Sequence, residues 1–227
     1  MKKIQFAVFT FLIFTIPCLT YAQGVIKGHV VFEGAAPAAE KIEVKSDIPT
    51  CGNQKIIQHL MLGEGQGIAN AVVALIGAPG ELKPKDGNLD QVQCEFQPHV
   101  QVMSLGSTLK ITSSDSVLHN SHGFYEDGTT AFNIAVPIVG MEAPFKTKQP
   151  GLIKLRCDAG HTWMNAYVMV TDSPYYALTD ANGNFTLEGV PPGKYAIEIW
   201  QELLGKHREP IEVKEGEQSF NTILKKS

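Results

Sequence analysis

Hydrophobic positions along this chain come in short runs punctuated by glycine and proline, not in long stripes of helical spacing. Val25–Phe32 is rich in β-branched residues, alternates roughly, and is closed by Gly34 and Pro37. Ala71–Ile76 is a brief apolar run ended by Gly77, Pro79 and Gly80. Val100–Met103, Thr108–Thr112, Gly151–Leu155 and Ala166–Val170 follow the same grammar. So do Asn184–Leu187, Lys194–Trp200, Pro210–Val213 and Phe220–Leu224. Such runs predict strands, and strands at this spacing predict β-sandwiches. Thr179–Gly183 predicts a hairpin turn, with Asn182-Gly183 suited to positive φ, and Gly189–Gly193 predicts the next turn.

The N-terminus departs from this pattern. Lys2 and Lys3 precede an almost unbroken apolar run from Phe6 to Ile16, and Thr20-Tyr21-Ala22 places small residues at a cleavage site. Residues 1–22 therefore read as a secretory signal peptide, the apolar run being too short for a spanning helix. Export to the periplasm or outside the cell follows, with no membrane span after cleavage. Pro17 stands where a lipoprotein cysteine would need a small residue, which argues against lipidation of Cys18.

Cleavage removes two lysines and no acid, taking the formal charge from -4 to -6. That balance argues against a nucleic-acid partner. Cleavage also removes one of four cysteines and leaves Cys51, Cys94 and Cys157. An odd number in an oxidising compartment suggests one disulfide and one thiol kept for chemistry; an arbitrary pairing or a buried bystander are the plainer alternatives. No serine elbow, phosphate-binding glycine loop or carboxylate pair marks an enzyme of those classes, so the chain reads as a non-enzyme.

Chemistry gathers in two places. Cys157-Asp-Ala-Gly-His161-Thr-Trp-Met164 sets three donor types in one tight loop between predicted strands. His119-Asn120, with His122 close behind, follows a strand well upstream. One thiolate, two imidazoles and a thioether suit a copper ion that changes oxidation state. A structural zinc site rarely recruits a thioether, which makes zinc the poorer fit. His122, His99, His29, His59 and His207 read as structural or surface residues, and Trp163 as packing over the loop.

These residues resemble the plastocyanin-like and amicyanin-like cupredoxins, whose ligand His-Asn is followed much later by Cys, His and Met before the last strand. The resemblance implies a blue copper site with His119, Cys157, His161 and Met164 as ligands. It implies that Asn120 ties the His119 strand to the cysteine loop. Asp158 follows the cysteine, where many cupredoxins carry Ser or Thr. With Cys157 assigned to metal, Cys51 and Cys94 are left to pair as a disulfide. Four protein ligands leave no open position, which implies electron transfer with a redox protein partner.

The segment from Thr179 onward resembles the carboxypeptidase regulatory-like, or prealbumin-like, sandwich of the carbohydrate-binding-like fold group. Its opening strands match Gly28-His-Val-Val and Asn70–Leu75, far upstream. The wider likeness is to exported bacterial proteins of methylamine-utilisation-like type that combine the two parts. It rests on Cys94–Val100, His119-Asn120, Gly160–Met164, Ser173–Tyr175 and Pro191–Gly193. The expected architecture is all-β: a cupredoxin-like Greek-key sandwich, 86–172, inserted in a small prealbumin-like sandwich, 23–85 plus 173–227. Two sequential domains are the competing arrangement. The competing functions are copper capture or delivery, and a binding module for protein or glycan. A glycan surface would need an exposed aromatic strip, for which Tyr175, Tyr176, Tyr195 and Trp200 are the dense aromatics, with core packing as their alternative use.

Overall fold

The computed structural model describes residues 23–226, and the expected signal peptide lies outside them. The regular structure of the described chain is almost entirely strand. Its first and last strands, Gly24–Glu33 and Gly216–Lys225, pair in parallel along their whole length. Asn184–Val190 pairs antiparallel on the other side of Gly24–Glu33. A second sheet has the order Tyr176–Leu178, Val72–Ile76, Gly193–Gln201, Gly205–Val213. Ile26, Val30, Leu75, Leu187, Ile197 and Val213 share the core of these outer strands.

The middle of the chain forms two further sheets. One has the order Thr130–Val136, His119–Tyr125, Gly151–Arg156, Asn165–Thr171, Val100–Ser104. The other runs Glu142–Lys146, Thr108–Thr112, Gly87–Val92, Glu95–Gln97. Leu89, Leu109, Ile111, Ile153, Leu155 and Val168 lie in their common core. Alternation is clean in Gly151–Arg156 only at its end, because Leu152 turns to a third cluster with Val72, Val100, Met169 and Trp200. That cluster joins the inner and outer parts. It also explains why the side chains of Val72–Leu75 are buried without alternation: Val73 and Leu75 face the outer core while Val72 faces the join.

The strands flanking the middle segment pair with each other, Tyr176–Leu178 against Val72–Ala74. The buried Ser173 fastens this point by donating its hydroxyl to the Leu75 carbonyl at 2.6 Å and accepting from the Tyr175 N–H at 3.1 Å. A ribbon of Glu40–Glu43 and Gln54–Ile57, with the short helix Ile48–Cys51 between, packs on the inner core through Val44 and Cys51.

Thr179–Gly183 departs from the expected hairpin. Tyr176–Leu178 and Asn184–Val190 belong to different sheets, so the turn crosses between them. Of the Asn182-Gly183 pair only Gly183 takes positive φ. Gly183 has φ 82, and the Asp180 carboxylate accepts from the N–H groups of Asn182 and Asn184. No helix among the described residues is long and apolar enough to cross a membrane.

Candidate metal centre

Three neighbouring strands of the five-stranded sheet bring the donors to one end. His119 opens its strand, Cys157 follows Gly151–Arg156, and His161 and Met164 lie in the loop that leads into Asn165–Thr171. Strand 151–156 is hydrogen-bonded to both neighbours, so a hairpin loop of eight residues stands beside the His119 strand end.

His119, Cys157 and His161 converge. The two histidine Nδ1 atoms lie 3.1 Å apart, and the Cys157 Sγ lies 3.9 Å from His119 Nδ1 and 3.8 Å from His161 Nδ1. All three residues are almost fully buried. Met164 is equally buried in the same core cluster as Cys157, and its N–H donates to the His161 carbonyl at 2.9 Å.

The far ring nitrogens decide the tautomers. His119 Nε2 lies 2.8 Å from Asp115 Oδ2, and His161 Nε2 lies 2.9 Å from Asp47 Oδ2. A carboxylate only accepts, so each Nε2 carries a proton, and the Nδ1 of each ring is the atom turned inward, where a neutral ring offers a lone pair. Burial, the largest influence on His119, pulls its imidazole below the ordinary value; the Asp115 hydrogen bond offsets this only in part. Two lone pairs and a sulfur facing one another at these distances suit a soft or borderline cation.

Around the donors, the turn Gln93-Cys94 is a hub. Both residues have positive φ, 51 and 59, in the two-residue loop between Gly87–Val92 and Glu95–Gln97. Neither is glycine, so the conformation is held from outside. Asp115 accepts from Gln93 N–H at 2.6 Å and from Cys94 N–H at 2.7 Å. The Trp163 indole donates to the Cys94 carbonyl at 2.9 Å. Lys55 donates to the Gln93 carbonyl and pairs with Glu95 at 2.9 Å. Cys94 is bonded to Cys51 in a disulfide, and among the described residues Cys157 is the free, buried cysteine.

Asn120 Oδ1 accepts from the Asp158 N–H at 2.6 Å, linking the His119 strand to the cysteine loop. Asp158 itself bonds His122 at 2.6 Å and Arg156 at 2.7 Å; the His122 hydrogen bond holds its carboxyl below the usual range. His122 thus faces away from the three converging donors. His99 pairs with Glu202 and His59 lies beside the same carboxylate. The aromatic strip considered for glycans does not form: Trp200 is buried against Tyr167, and the Tyr175 and Tyr195 hydroxyls are spent on the Pro79 and Pro191 carbonyls.

Sequence reasoning missed both carboxylates. Asp115 lies four residues before His119 in a polar stretch without periodicity. Asp47 is 114 residues from His161, and only its nearness to Cys51 could have drawn attention.

The family described as "Polysaccharide lyase family 4, domain II" matches residues 145–220. No curated protein matches the chain. Among solved structures, a purple cupredoxin from Nitrosopumilus maritimus is 22% identical, covering 38% of this chain and 100% of its own, with TM-score 0.33. A reduced amicyanin variant is 14% identical over 45% of this chain and 99% of its own, with TM-score 0.34. Pseudoazurin from Methylobacterium extorquens is 22% identical over 39% of this chain and 77% of its own, with TM-score 0.32.

Proposed function

We propose that this chain is an exported copper protein with one type 1 site, acting as an electron carrier or redox module toward a protein partner. The reading assigns His119 and His161, through Nδ1, and the Cys157 thiolate as the strong donors, with Met164 as the weak fourth. It also assigns residues 86–172 to the copper-bearing sandwich and 23–85 with 173–227 to the sandwich that carries it, the ribbon within 40–57 being the part of the latter that lies on the copper-bearing core. One observation bears most of the weight: two imidazoles held by carboxylates at Nε2 turn both Nδ1 atoms toward one buried thiol.

Copper bound there would supply a one-electron couple. The chain's residues do the rest. Asp115 and Asp47 fix the ring orientations, which limits rearrangement when charge changes. Burial of His119, Cys157 and His161 keeps water from the donors. A cleft of about 280 Å³, lined in part by Met164, Trp163, Phe96 and Ile56, is the side on which this reading brings the partner closest. Deep burial of every donor favours a resident ion over delivery, because release would require the capped histidines to open.

The test is to add Cu(II) to the mature protein and record visible absorption and electron paramagnetic resonance. An intense thiolate-to-copper band is expected, and Cys157→Ser should abolish it. A band that survives this substitution sinks the assignment. Tight binding of Cu(I) without a coloured oxidised form would favour capture or delivery.

A further inference from the structure

Asp47 belongs to neither of the segments that supply the donors. It sits at the start of the short helix Ile48–Cys51, in the ribbon that lies across the inner core. Its backbone is left-handed, φ 53, a conformation that a non-glycine residue adopts at a cost. Its carboxylate is nonetheless on target, 2.9 Å from His161 Nε2, and His161 is 1% exposed.

What holds it there is local and specific. The Asp47 carbonyl accepts from the Cys51 N–H at 2.8 Å and from the Thr50 N–H at 2.9 Å. Cys51 is bonded to Cys94, whose N–H binds Asp115, the carboxylate on the other histidine. Lys55, four residues beyond Cys51, is tied to the same Gln93–Glu95 turn. The disulfide therefore joins the segment that carries Asp47, the carboxylate on His161, to the turn whose N–H groups hold Asp115, the carboxylate on His119. The sulfurs of Cys51 and Cys94 also lie within 4.8 Å of a His161 ring nitrogen.

We propose that Asp47 is a positioning residue for the metal centre and that the Cys51–Cys94 disulfide anchors it, so that the centre is completed only after this disulfide forms. The proposal rests on the copper reading for its consequence but not for its geometry. The forming step is thiol–disulfide exchange: the two thiols give up two electrons and two protons to a protein disulfide of the export compartment, which becomes a dithiol. The reaction that prepares this chain for metal is thus a dithiol oxidation. It also removes Cys51 and Cys94 as competitors for Cys157.

Nuclear magnetic resonance of the metal-free protein tests the positioning directly. Wild type should show His161 as a single Nε2–H tautomer. Asp47→Ala should mix the tautomers, and Asp47→Asn, which keeps an acceptor, should restore the wild-type signal. Cu(II) affinity of Asp47→Ala should fall by roughly 10–100-fold, as for other carboxylates behind metal-bound histidines. Cys51→Ala/Cys94→Ala should reproduce the tautomer mixing, and adding Asp47→Ala to it should change nothing further. An unchanged tautomer in Asp47→Ala overturns the positioning role. Additive effects of the two changes overturn the anchor. If wild type takes up no copper while Asp47→Ala still mixes the tautomers, the copper reading falls and the positioning stands. Asp47 is part-exposed at the ribbon surface, so its variants test the idea even if the cysteine variant does not fold.

Discussion

Asp115 Oδ2 receives both the His119 Nε2 proton, at 2.8 Å, and the Cys94 N–H, at 2.7 Å. One buried carboxylate oxygen thus sets a candidate ligand's tautomer and steadies the strained turn that carries the disulfide. The other oxygen binds Gln93 N–H. Loss of the carboxylate strands two amides in a left-handed turn and frees an imidazole at the same moment.

Asp115→Ala should therefore destabilise the fold by roughly 3 kcal/mol or more, since hydrogen bonds to a buried charge exceed neutral ones and their loss leaves buried donors unmet. Asp115→Asn should cost less, because it preserves shape and one acceptor. Chemical denaturation of the metal-free protein measures both. Equal, small losses for the two would contradict the account.

The disulfide makes a separate contribution. Cys51 and Cys94 are 43 residues apart. Closing a loop of that length restricts the unfolded chain by about 4 kcal/mol in the entropic treatment. Cys51→Ala/Cys94→Ala should lower the denaturation midpoint accordingly. A variant as stable as wild type would mean that the ribbon is held by Lys55 and packing alone.

His99 supplies a pH dependence. Its Nδ1 faces the Asn165 carbonyl at 3.1 Å and its Nε2 faces Glu202 Oε1 at 3.0 Å, both acceptors. Burial pulls the ring down, but the Glu202 hydrogen bond and charge and the Asn165 carbonyl outweigh it, and the net shift is upward from 6.5. A raised folded value means that the stabilisation is fully present below the unfolded value, about 6.5, and is lost as pH rises through the folded value. The stability difference between wild type and His99→Gln should thus shrink as pH climbs above 6.5. A difference that grows in that direction would reverse the assignment.

Much of this fold is legible in the chain because the apolar runs are short and bounded. Val25–Phe32 and Lys194–Trp200 announce themselves by β-branched and aromatic content. His119–Tyr125 does not: its inward positions are His119, Ser121 and Gly123, which carry no hydrophobic signal. Gly123 is required there because a Cβ would lie 2.7 Å from the Phe132 ring. The metal loop is legible because Cys157, His161 and Met164 are close in sequence. The carboxylates are not, because a histidine's far nitrogen can be met from anywhere in the fold. Asp47 shows this best, reaching His161 from a ribbon with almost no apolar pattern. The Thr179–Gly183 turn shows the converse limit: its residues specify a tight turn, but only the pairing partners decide whether it closes a hairpin or crosses between sheets.

That same turn gives a backbone prediction with an internal control. Gly183 has φ +82, and a Cβ there would stand 2.5 Å from the Val30 carbonyl oxygen and 2.7 Å from the Ile68 nitrogen. The Gly183 carbonyl also accepts from the Val30 N–H at 2.9 Å, so the chain cannot back away without breaking the bond that continues the pairing of Gly24–Glu33 with Asn184–Val190. Gly205 has nearly the same φ, +74, but nothing within 4 Å of its would-be Cβ. Alanine at Gly205 should cost only the left-handed backbone term, about 1 kcal/mol. Alanine at Gly183 should cost that and the clash, roughly 3 kcal/mol in all. Thermal or urea denaturation of the two single variants isolates the contact, because the backbone term cancels between them. Equal losses would mean that Gly183 is needed for its φ alone and that the crossing turn can shift away from Val30.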